Sequence, residues 1–460
     1  MTNGKHRIHA AARKIFRVVP PVFSAAVSAG HRWLQRHPIS QPSNIGERYW
    51  STLLKVVDLS RDDLKEHPGR KRLYDELRRQ LARQRDQAGS MEEAREMNRI
   101  LNRLERDEQE TRLMSYPMRC HVELTTFCNL RCRMCGQSYF EDYSGPRRHM
   151  DQAILEEVQK VLPYVEELVA TGFGESLLSP HFWEFMEMLP RRGGIKRLIT
   201  NGVLLTGETS RRMMDYPINE YFISFEAVDA QTYQFVRSID RFDQVVQNIR
   251  DLDKNRRESG REDVSITLSF VAMKRNIEQL PDFVRKAKEY GADRVLVAFL
   301  HVTRPSLIDE SLFFKPQLAN RMFAEAEKVS REVGIEYEYP RGFAPRESDP
   351  ERSRRVKNCC EPWEFIYFES NGAVRPCCIY PKGIGKLIET PLEEVWNNRA
   401  YMAIRKTVNS DRPEPYCARC WFTRHVDHND RRYHINLVDK RGVNLEEAEA
   451  SKGVWDEEVV

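Results

Sequence analysis

The sequence predicts an α/β protein: a parallel sheet with helices outside it, six βα units forming a partial (β/α)6 TIM-like barrel, with a small cysteine-bearing domain after it and a helical extension before it. Three observations predict this. From Arg119 onward, short β-rich runs alternate six times with helical ones, the pattern of a parallel sheet rather than of hairpins. The first β-rich run leads directly into a loop holding Cys128, Cys132 and Cys135, and the next cysteines come only at Cys359 and Cys360. The residues ahead of the sheet are charged and helical in pattern.

At the N-terminus, Lys5, Arg7, Arg13, Lys14, Arg17, Arg32, Arg36 and Arg48 face a single acid, Glu47. The apolar run from Ile15 to Val27 imitates a secretory signal, but Pro20-Pro21 interrupts it and it is too short to span a bilayer. It reads as a basic segment touching an anionic membrane or a partner, or as a flexible basic arm. Residues from about Ser60 to Tyr116 read as a charged helical pair, with Leu73, Leu77 and Leu81 at four-residue spacing and then Met97, Leu101 and Leu104. Gly89-Ser90 breaks the pair, and Ser90 with Glu93 makes a capping signal for the second arm.

Strands are predicted at Cys120–Leu124, Leu168–Thr171, Arg197–Thr200, Tyr221–Phe225, Val264–Val271 and Arg294–Leu300. Helices are predicted near Gln152–Leu162, His181–Leu189, Gly207–Met214, Phe242–Asn255 and Leu280–Tyr290. In parallel βα architectures the chemistry gathers at the strand C-termini, which is where the cysteine loop sits. The expected organisation is a basic arm (1–50), a charged helical extension (51–116), the barrel (117–340), the cysteine-bearing domain (341–425) and a C-terminal tail (426–460).

A net charge of +4 does not imply a nucleic-acid partner, and the basic arm lacks the aromatic interleaving of such motifs. The ten cysteines cluster around loops, which indicates metal ligation in a reducing compartment rather than disulfides. That predicts a cytoplasmic protein, membrane-associated if residues 1–50 meet a lipid surface.

Cys128, Cys132 and Cys135 form C-x3-C-x2-C, and three thiolates can hold three irons of a cubane while leaving the fourth open. Zinc is the competing occupant, but zinc sites pair such cysteines with a second nearby Cys or His pair, and His121 lies on the predicted strand. With Phe127 before the first cysteine and Met134 before the last, the segment resembles the signature of the radical S-adenosylmethionine (radical SAM) enzymes. Three more segments resemble that family. Gly172-Phe173-Gly174-Glu175 is similar to its G-x-G-E, which implies that Gly174 and Glu175 hold the SAM amino group; Ser176 stands where the family often has Pro. Thr200-Asn201-Gly202 is similar to its Thr-Asn-Gly. After the fourth strand the resemblance implies that Ser224 and Arg237 reach the SAM ribose or carboxylate, with Glu226 near a common Asp position. Met134, with Phe299 and His301, is the expected surround of the adenine, and Cys120 reads as a core thiol.

Asn371-Gly372 between two β-like runs is a hairpin signal that brings Cys359 and Cys377 together. With Cys359-Cys360-Glu361-Pro362-Trp363, Cys377-Cys378 and Cys417-Ala418-Arg419-Cys420, the block resembles the SPASM or shorter twitch extension. The resemblance implies an auxiliary 4Fe-4S cluster on Cys359, Cys377, Cys417 and Cys420, with Cys360 and Cys378 as neighbours that could substitute. A structural zinc on the same four cysteines is the competing reading.

The resemblance implies an iron–sulfur oxidoreductase with SAM and two 4Fe-4S clusters, one SAM-binding and one auxiliary. Such an enzyme cleaves SAM reductively to a 5′-deoxyadenosyl radical that abstracts hydrogen from substrate. A reductase, flavodoxin or ferredoxin would donate electrons. The expected substrate is a small polar, glycosyl or lipid-linked metabolite undergoing net oxidation, because the charged helical N-terminus lacks a winged peptide-binding module. The alternative is a ribosomal-peptide maturase, and the alternative of another class is a zinc-bearing RNA- or partner-binding protein. A catalytic base is not assigned; Glu226 and His301 are the candidates near the barrel mouth.

Overall fold

The computed structural model describes residues 68–138, 146–340, 342–343, 358–418, 420 and 434–435. The basic arm, most of the C-terminal tail, and the side chains of Leu73 and Leu77 lie outside the described residues. The chain divides into two units, Met1–Ala88 and Gly89–Val460. In the first unit the described element is helix α1, Pro68–Asp86. No described helix is long and apolar enough to cross a membrane.

The second unit opens with α2, Met91–Asp107, capped as its sequence predicts: Ser90 Oγ accepts from the Glu93 N–H. The return bond of the capping box lands one residue early, from Gly89 N–H to Glu93 Oε2 at 3.0 Å. The buried face of α2 carries Met97 and Leu101 beside polar Asn98, Asn102 and Glu105. Buried polar groups cost free energy unless they are paired, and all three residues bond to segments flanking the sheet, although Asn102 Oδ1 has no hydrogen-bond partner. Glu105 accepts from Met114 N–H (2.7 Å), Ser115 N–H (3.0 Å) and Ser115 Oγ (2.7 Å). Asn98 exchanges two bonds with the Tyr116 backbone, and Asn102 donates to the Trp363 carbonyl at 2.5 Å.

The sheet then builds in order. Parallel strands β1 (Arg119–Val122), β2 (Glu167–Ala170), β3 (Ile195–Thr200), β4 (Glu220–Ser224), β5 (Ser265–Ala272), β6 (Arg294–Phe299) and β7 (Glu336–Glu338) lie side by side. Helices α3 (Gln152–Gln159), α4 (Phe182–Met188), α5 (Gly207–Met213), α6 (Ala230–Arg237), α7 (Phe242–Glu258), α8 (Leu280–Tyr290) and α9 (Pro316–Val333) follow the strands. All six predicted strands are present within two residues at either end; β7 makes a seventh. The sheet does not stop at residue 340. Strand β8 (Phe365–Phe368), after the short helix α10 (Glu361–Glu364), pairs parallel with the free edge of β1, and β9 (Ala373–Arg375) and β10 (Gly385–Lys386) continue antiparallel. The result is one open ten-stranded sheet, β10-β9-β8-β1-β2-β3-β4-β5-β6-β7. Helices α11 (Leu392–Val395), α12 (Arg399–Thr407) and α13 (Pro415–Ala418) complete the chain's described order.

The two faces of the sheet differ because side chains alternate along a strand. Cys120, Val122, Leu168, Ala170, Leu198, Tyr221 and Leu268 face the helices and are buried with Leu155, Val245, Ile249 and Phe283 in the main core. The opposite face is polar. Arg197 there pairs with Glu167 (3.2 Å) and Glu220 (2.6 Å) and lies over the Phe222 ring. His121, on the same face, is packed edge-on by Phe365 at 4.8 Å. Burial pushes its imidazole down to about 4, and Arg119, Arg197 and Arg375 push the same way, so it is neutral at physiological pH.

Candidate functional site

The cysteine loop leaves the C-terminal end of β1 and is fixed by its own side chains. Thr125 Oγ1 accepts from Phe127 N–H at 3.0 Å, and Thr126 exchanges bonds with the Arg148 backbone. Cys132 is buried, whereas Cys128 and Cys135 are half-buried. The Leu130 N–H donates to Cys128 Sγ at 3.4 Å. Burial pushes the Cys128 thiol up to about 11, against the pull of that N–H.

Two glycine-rich turns hold this loop from behind. A Cβ at Gly174 would stand 2.2 Å from the Thr125 carbonyl oxygen and 2.6 Å from that of Phe127, so only glycine permits the approach. The next residue donates from its backbone, Glu175 N–H to Phe127 O, at 2.8 Å. The Glu175 carboxylate is 2% exposed. It accepts from Thr200 Oγ1 (2.9 Å), Asn201 N–H (2.8 Å) and Leu177 N–H (3.4 Å). Burial pushes this acid up, and the bonds from Asn201 and Thr200 pull it back. Glu175 is thus a brace between the turns after β2 and β3. Asn201 extends the brace into the cysteine loop, its Nδ2 donating to Asn129 Oδ1 at 2.8 Å and standing 3.9 Å from Cys128 Sγ.

Ser224 ends β4 half-buried, level with Ser269 of β5. Arg237, at the end of α6, is buried and points back at the cysteine loop: Nη1 donates to Cys132 Sγ at 3.4 Å and Nη2 to Glu226 Oε2. Its Nε is buried without a hydrogen-bond partner. Met134 is half-buried against the main core and against a second cluster containing Val236, Met273 and Ile435. The other two residues expected around an adenine differ in placement. His301 is exposed, and Phe299 is buried among Phe323, Phe343 and His434, where its ring is part of the core.

The second cysteine group lies at the other end of the sheet. Because β8 runs parallel to β1, Cys359 and Cys360, which precede it, stand at the N-terminal end. Arg119, the first residue of β1, pairs there with Glu361 at 2.5 Å. The turn at Gly372 (φ +82°) makes the predicted hairpin, and antiparallel β9 carries the chain back so that Cys377 returns to the Cys359 end. Between the two cysteine groups lie the 4 residues of β1, about 13 Å of strand at about 3.3 Å per residue. The neighbours separate the adjacent pairs. Cys359 feels the thiols of Cys360 and Cys417, and Cys377 feels those of Cys378 and Cys359; each also accepts an N–H from two residues ahead, Glu361 and Ile379. Cys128 with Leu130 has the same pattern. Glu361 acts on Cys359, Cys360, Cys377 and Cys378 alike, but Cys360 also faces Glu364, Arg119 and Arg106, and Cys378 is exposed. Cys417 and Cys420 are half-buried on consecutive turns, with Cys420 N–H donating to Cys417 O at 3.3 Å.

Among the described residues, no three Cys, His, Asp or Glu side chains stand close enough to share one metal ion. A cubane asks for a wider spread, since each thiolate takes a different iron. Amide N–H groups aimed at the sulfurs, the close backbone approach at Gly174 and the unpartnered Arg237 Nε fit such a cluster with a polar ligand beside it.

Sequence reasoning missed Glu123, Asn129 and Asn409. Glu123 accepts from Phe173 N–H (2.9 Å) and from Ser370 Oγ (3.0 Å), joining the G-x-G-E turn to the hairpin beside β1. An acid inside an apolar strand was the available signal. Asn409 clamps the Cys359 backbone with bonds of 2.9 and 3.0 Å, and nothing in the sequence marks it.

Comparison with known proteins finds two domains in the chain. The Radical SAM superfamily matches residues 122–287, and SPASM, an iron–sulfur cluster-binding domain, matches residues 359–421. The tungsten-containing aldehyde ferredoxin oxidoreductase cofactor-modifying protein of Pyrococcus furiosus is 28% identical over 42% of this chain and 54% of its own length. The chain thus spans about half of that relative. The PqqA peptide cyclase of Bradyrhizobium diazoefficiens is 26% identical over 60% of this chain and 70% of its own. In fold, the chain resembles Streptococcus suis SuiB bound to precursor peptide SuiA (TM-score 0.51, 18% identity, 67% of this chain and 71% of that one).

Proposed function

This chain carries a radical SAM domain and a SPASM domain, and from that premise we propose that it is a peptide-modifying maturase. The radical SAM domain takes SAM and a 4Fe-4S cluster, and the SPASM domain adds auxiliary iron–sulfur. The observation that carries the peptide reading is the relation to the PqqA peptide cyclase, matched over 70% of that protein's length. The expectation of a small polar, glycosyl or lipid-linked substrate gives way to it. That expectation leaned on the N-terminal region, whose first 67 residues lie outside the described structure.

In this reading Cys128, Cys132 and Cys135 hold the SAM-binding cluster, and Cys359, Cys377, Cys417 and Cys420 hold the auxiliary one. Together, SAM and the reduced cluster supply a radical able to take hydrogen from an unactivated carbon. The protein's own contribution is positioning and exclusion of water. Gly174 lets the turn after β2 lie against the cysteine loop, and Glu175 fixes Thr200 and Asn201 in register with it. Ser224 presents a hydroxyl at the strand ends for the SAM ribose. Met134, half-buried between the two apolar clusters, would cover the adenine. The polar wall of the sheet between the two cysteine groups, with His121, Arg197 and Glu220, suits a polar side chain of an extended peptide. Net change on the peptide would be a two-electron oxidation: one hydrogen atom would pass to the radical, and the remaining electron to the auxiliary cluster with a proton lost to solvent, while electrons for the first cluster would come from a reductase, flavodoxin or ferredoxin.

The test is anaerobic incubation of the reconstituted full chain with SAM, dithionite and a synthetic peptide library. Peptide-dependent 5′-deoxyadenosine, with loss of hydrogen from the responding peptide by mass spectrometry, is expected. Stimulation by glycosyl or lipid-linked alcohols and by no peptide would overturn the peptide reading.

A further inference from the structure

We infer that Arg237 and Glu226 form a charge couple that sets the reduction potential of the first cluster, acting through the Cys132 sulfur. The inference rests on the reading that Cys132 is a cluster ligand. Cys132 is 8% exposed, the most buried of the three loop cysteines, so solvent screens its sulfur least. Its donor is a guanidinium, Arg237 Nη1 at 3.4 Å, whereas Cys128 receives a neutral backbone N–H. A charged donor binds sulfur more strongly than a neutral one, and burial weakens solvent screening of both.

The couple is held in place from several sides. Glu226 has φ +57°, left-handed backbone that is costly for a residue with a side chain, and Asn276 Nδ2 secures its carbonyl at 3.2 Å. The end of α6 is tied to the cysteine loop by Arg133 N–H donating to Val236 O at 3.0 Å. Glu226 occupies Arg237 Nη2 while Nη1 meets the sulfur, so one guanidinium joins the acid and the thiol. Hydrogen bonds to the sulfurs and net charge near a cluster are what set its potential. Arg237 favours the electron-rich reduced cluster and raises the potential, and Glu226 offsets that pull. The two residues therefore tune in opposite directions.

The experiment is an EPR-monitored redox titration of the anaerobically reconstituted full chain, without SAM, for wild type, Arg237→Gln, Glu226→Gln and Arg237→Lys. Arg237→Gln is expected to shift the midpoint to more negative potential, Glu226→Gln to more positive, and Arg237→Lys to stay nearer wild type. Potentials that do not move, or that move in the same direction in both Gln variants at equal iron content, overturn the couple. Should Arg237→Gln prevent loading, Glu226→Gln decides alone: a positive shift supports the couple, and no shift or a negative one overturns it. Failure of the underlying reading looks different, since wild type would then keep all its iron when the three loop cysteines become alanine.

Discussion

Gly174→Ala tests how the cysteine loop is held. The new Cβ would meet the carbonyl oxygens of Thr125 and Phe127 at 2.2 and 2.6 Å. Ordinary contact begins near 3.4 Å, so at least one of the two turns must move by about 1 Å. The clash is with backbone on both counts and has no side-chain rotation to relieve it. Overpacking of this kind costs about 1–3 kcal/mol, and here the displaced atoms lie one and three residues before Cys128. Gly172→Ala is the comparison: its Cβ meets Glu123 Cγ at 2.3 Å and Cβ at 2.8 Å, so Glu123 must shift and give up its bonds to Phe173 and Ser370, but no atom of the cysteine loop is met. Iron per chain after anaerobic reconstitution, with denaturant unfolding of the cluster-free protein, reads both effects. Gly174→Ala should lose stability by that amount and load less iron than Gly172→Ala. Wild-type midpoint and iron content in Gly174→Ala would refute the bracing argument.

The second cysteine group, the α2 joint and the half-buried His121 each give a further test. Cys359→Ala and Cys377→Ala should each lower the iron and sulfide of reconstituted protein, while Cys360→Ala and Cys378→Ala leave them near wild type, since the neighbours single out the first pair. Glu105→Ala strips three donors of their buried acceptor, at about 1–3 kcal/mol for each group left unsatisfied, and should lower the thermal midpoint by several degrees in calorimetry. His121 is held at about 4 in the folded chain, below the 6.5 of the free side chain. Between those values the unfolded state binds the extra proton, so this group's contribution to stability is intact above about 6.5 and is lost as pH falls toward 4. Urea unfolding at intervals from pH 7 to pH 4 should therefore show a shallower acid loss for His121→Gln than for wild type.

Much of the architecture is legible because local pattern and tertiary environment agree. Tyr221, Ile223, Ile266 and Leu268 are apolar because they face helices, and that periodicity marks β4 and β5 within a residue or two. The end of α8 at Tyr290 is readable because Gly291, at φ +96°, closes it. Helix α6 was missed although Asp229 caps it by accepting from Thr232 N–H, and α9 was missed although Pro316 opens it and Gly334 closes it. The pairing of β8 with β1 joins residues some 245 positions apart, and no local period encodes a strand's partner. The site divides the same way. Cysteine spacing, the glycine turns and the Asn371-Gly372 hairpin are short-range features and were readable. What Arg237 and Glu175 touch depends on neighbours brought together only by the fold: Arg237 meets a cysteine sulfur and Glu226, and Glu175 meets the turn after β3.

In this reading two iron–sulfur sites stand at opposite ends of one sheet, the first open to SAM. Iron and sulfide analysis with EPR on anaerobically reconstituted protein tests it most directly, wild type beside the variant with Cys128, Cys132 and Cys135 all changed to Ala. About eight irons are expected in wild type and about four in the variant, with SAM perturbing the wild-type signal alone. Stoichiometric zinc without iron in both proteins would contradict it.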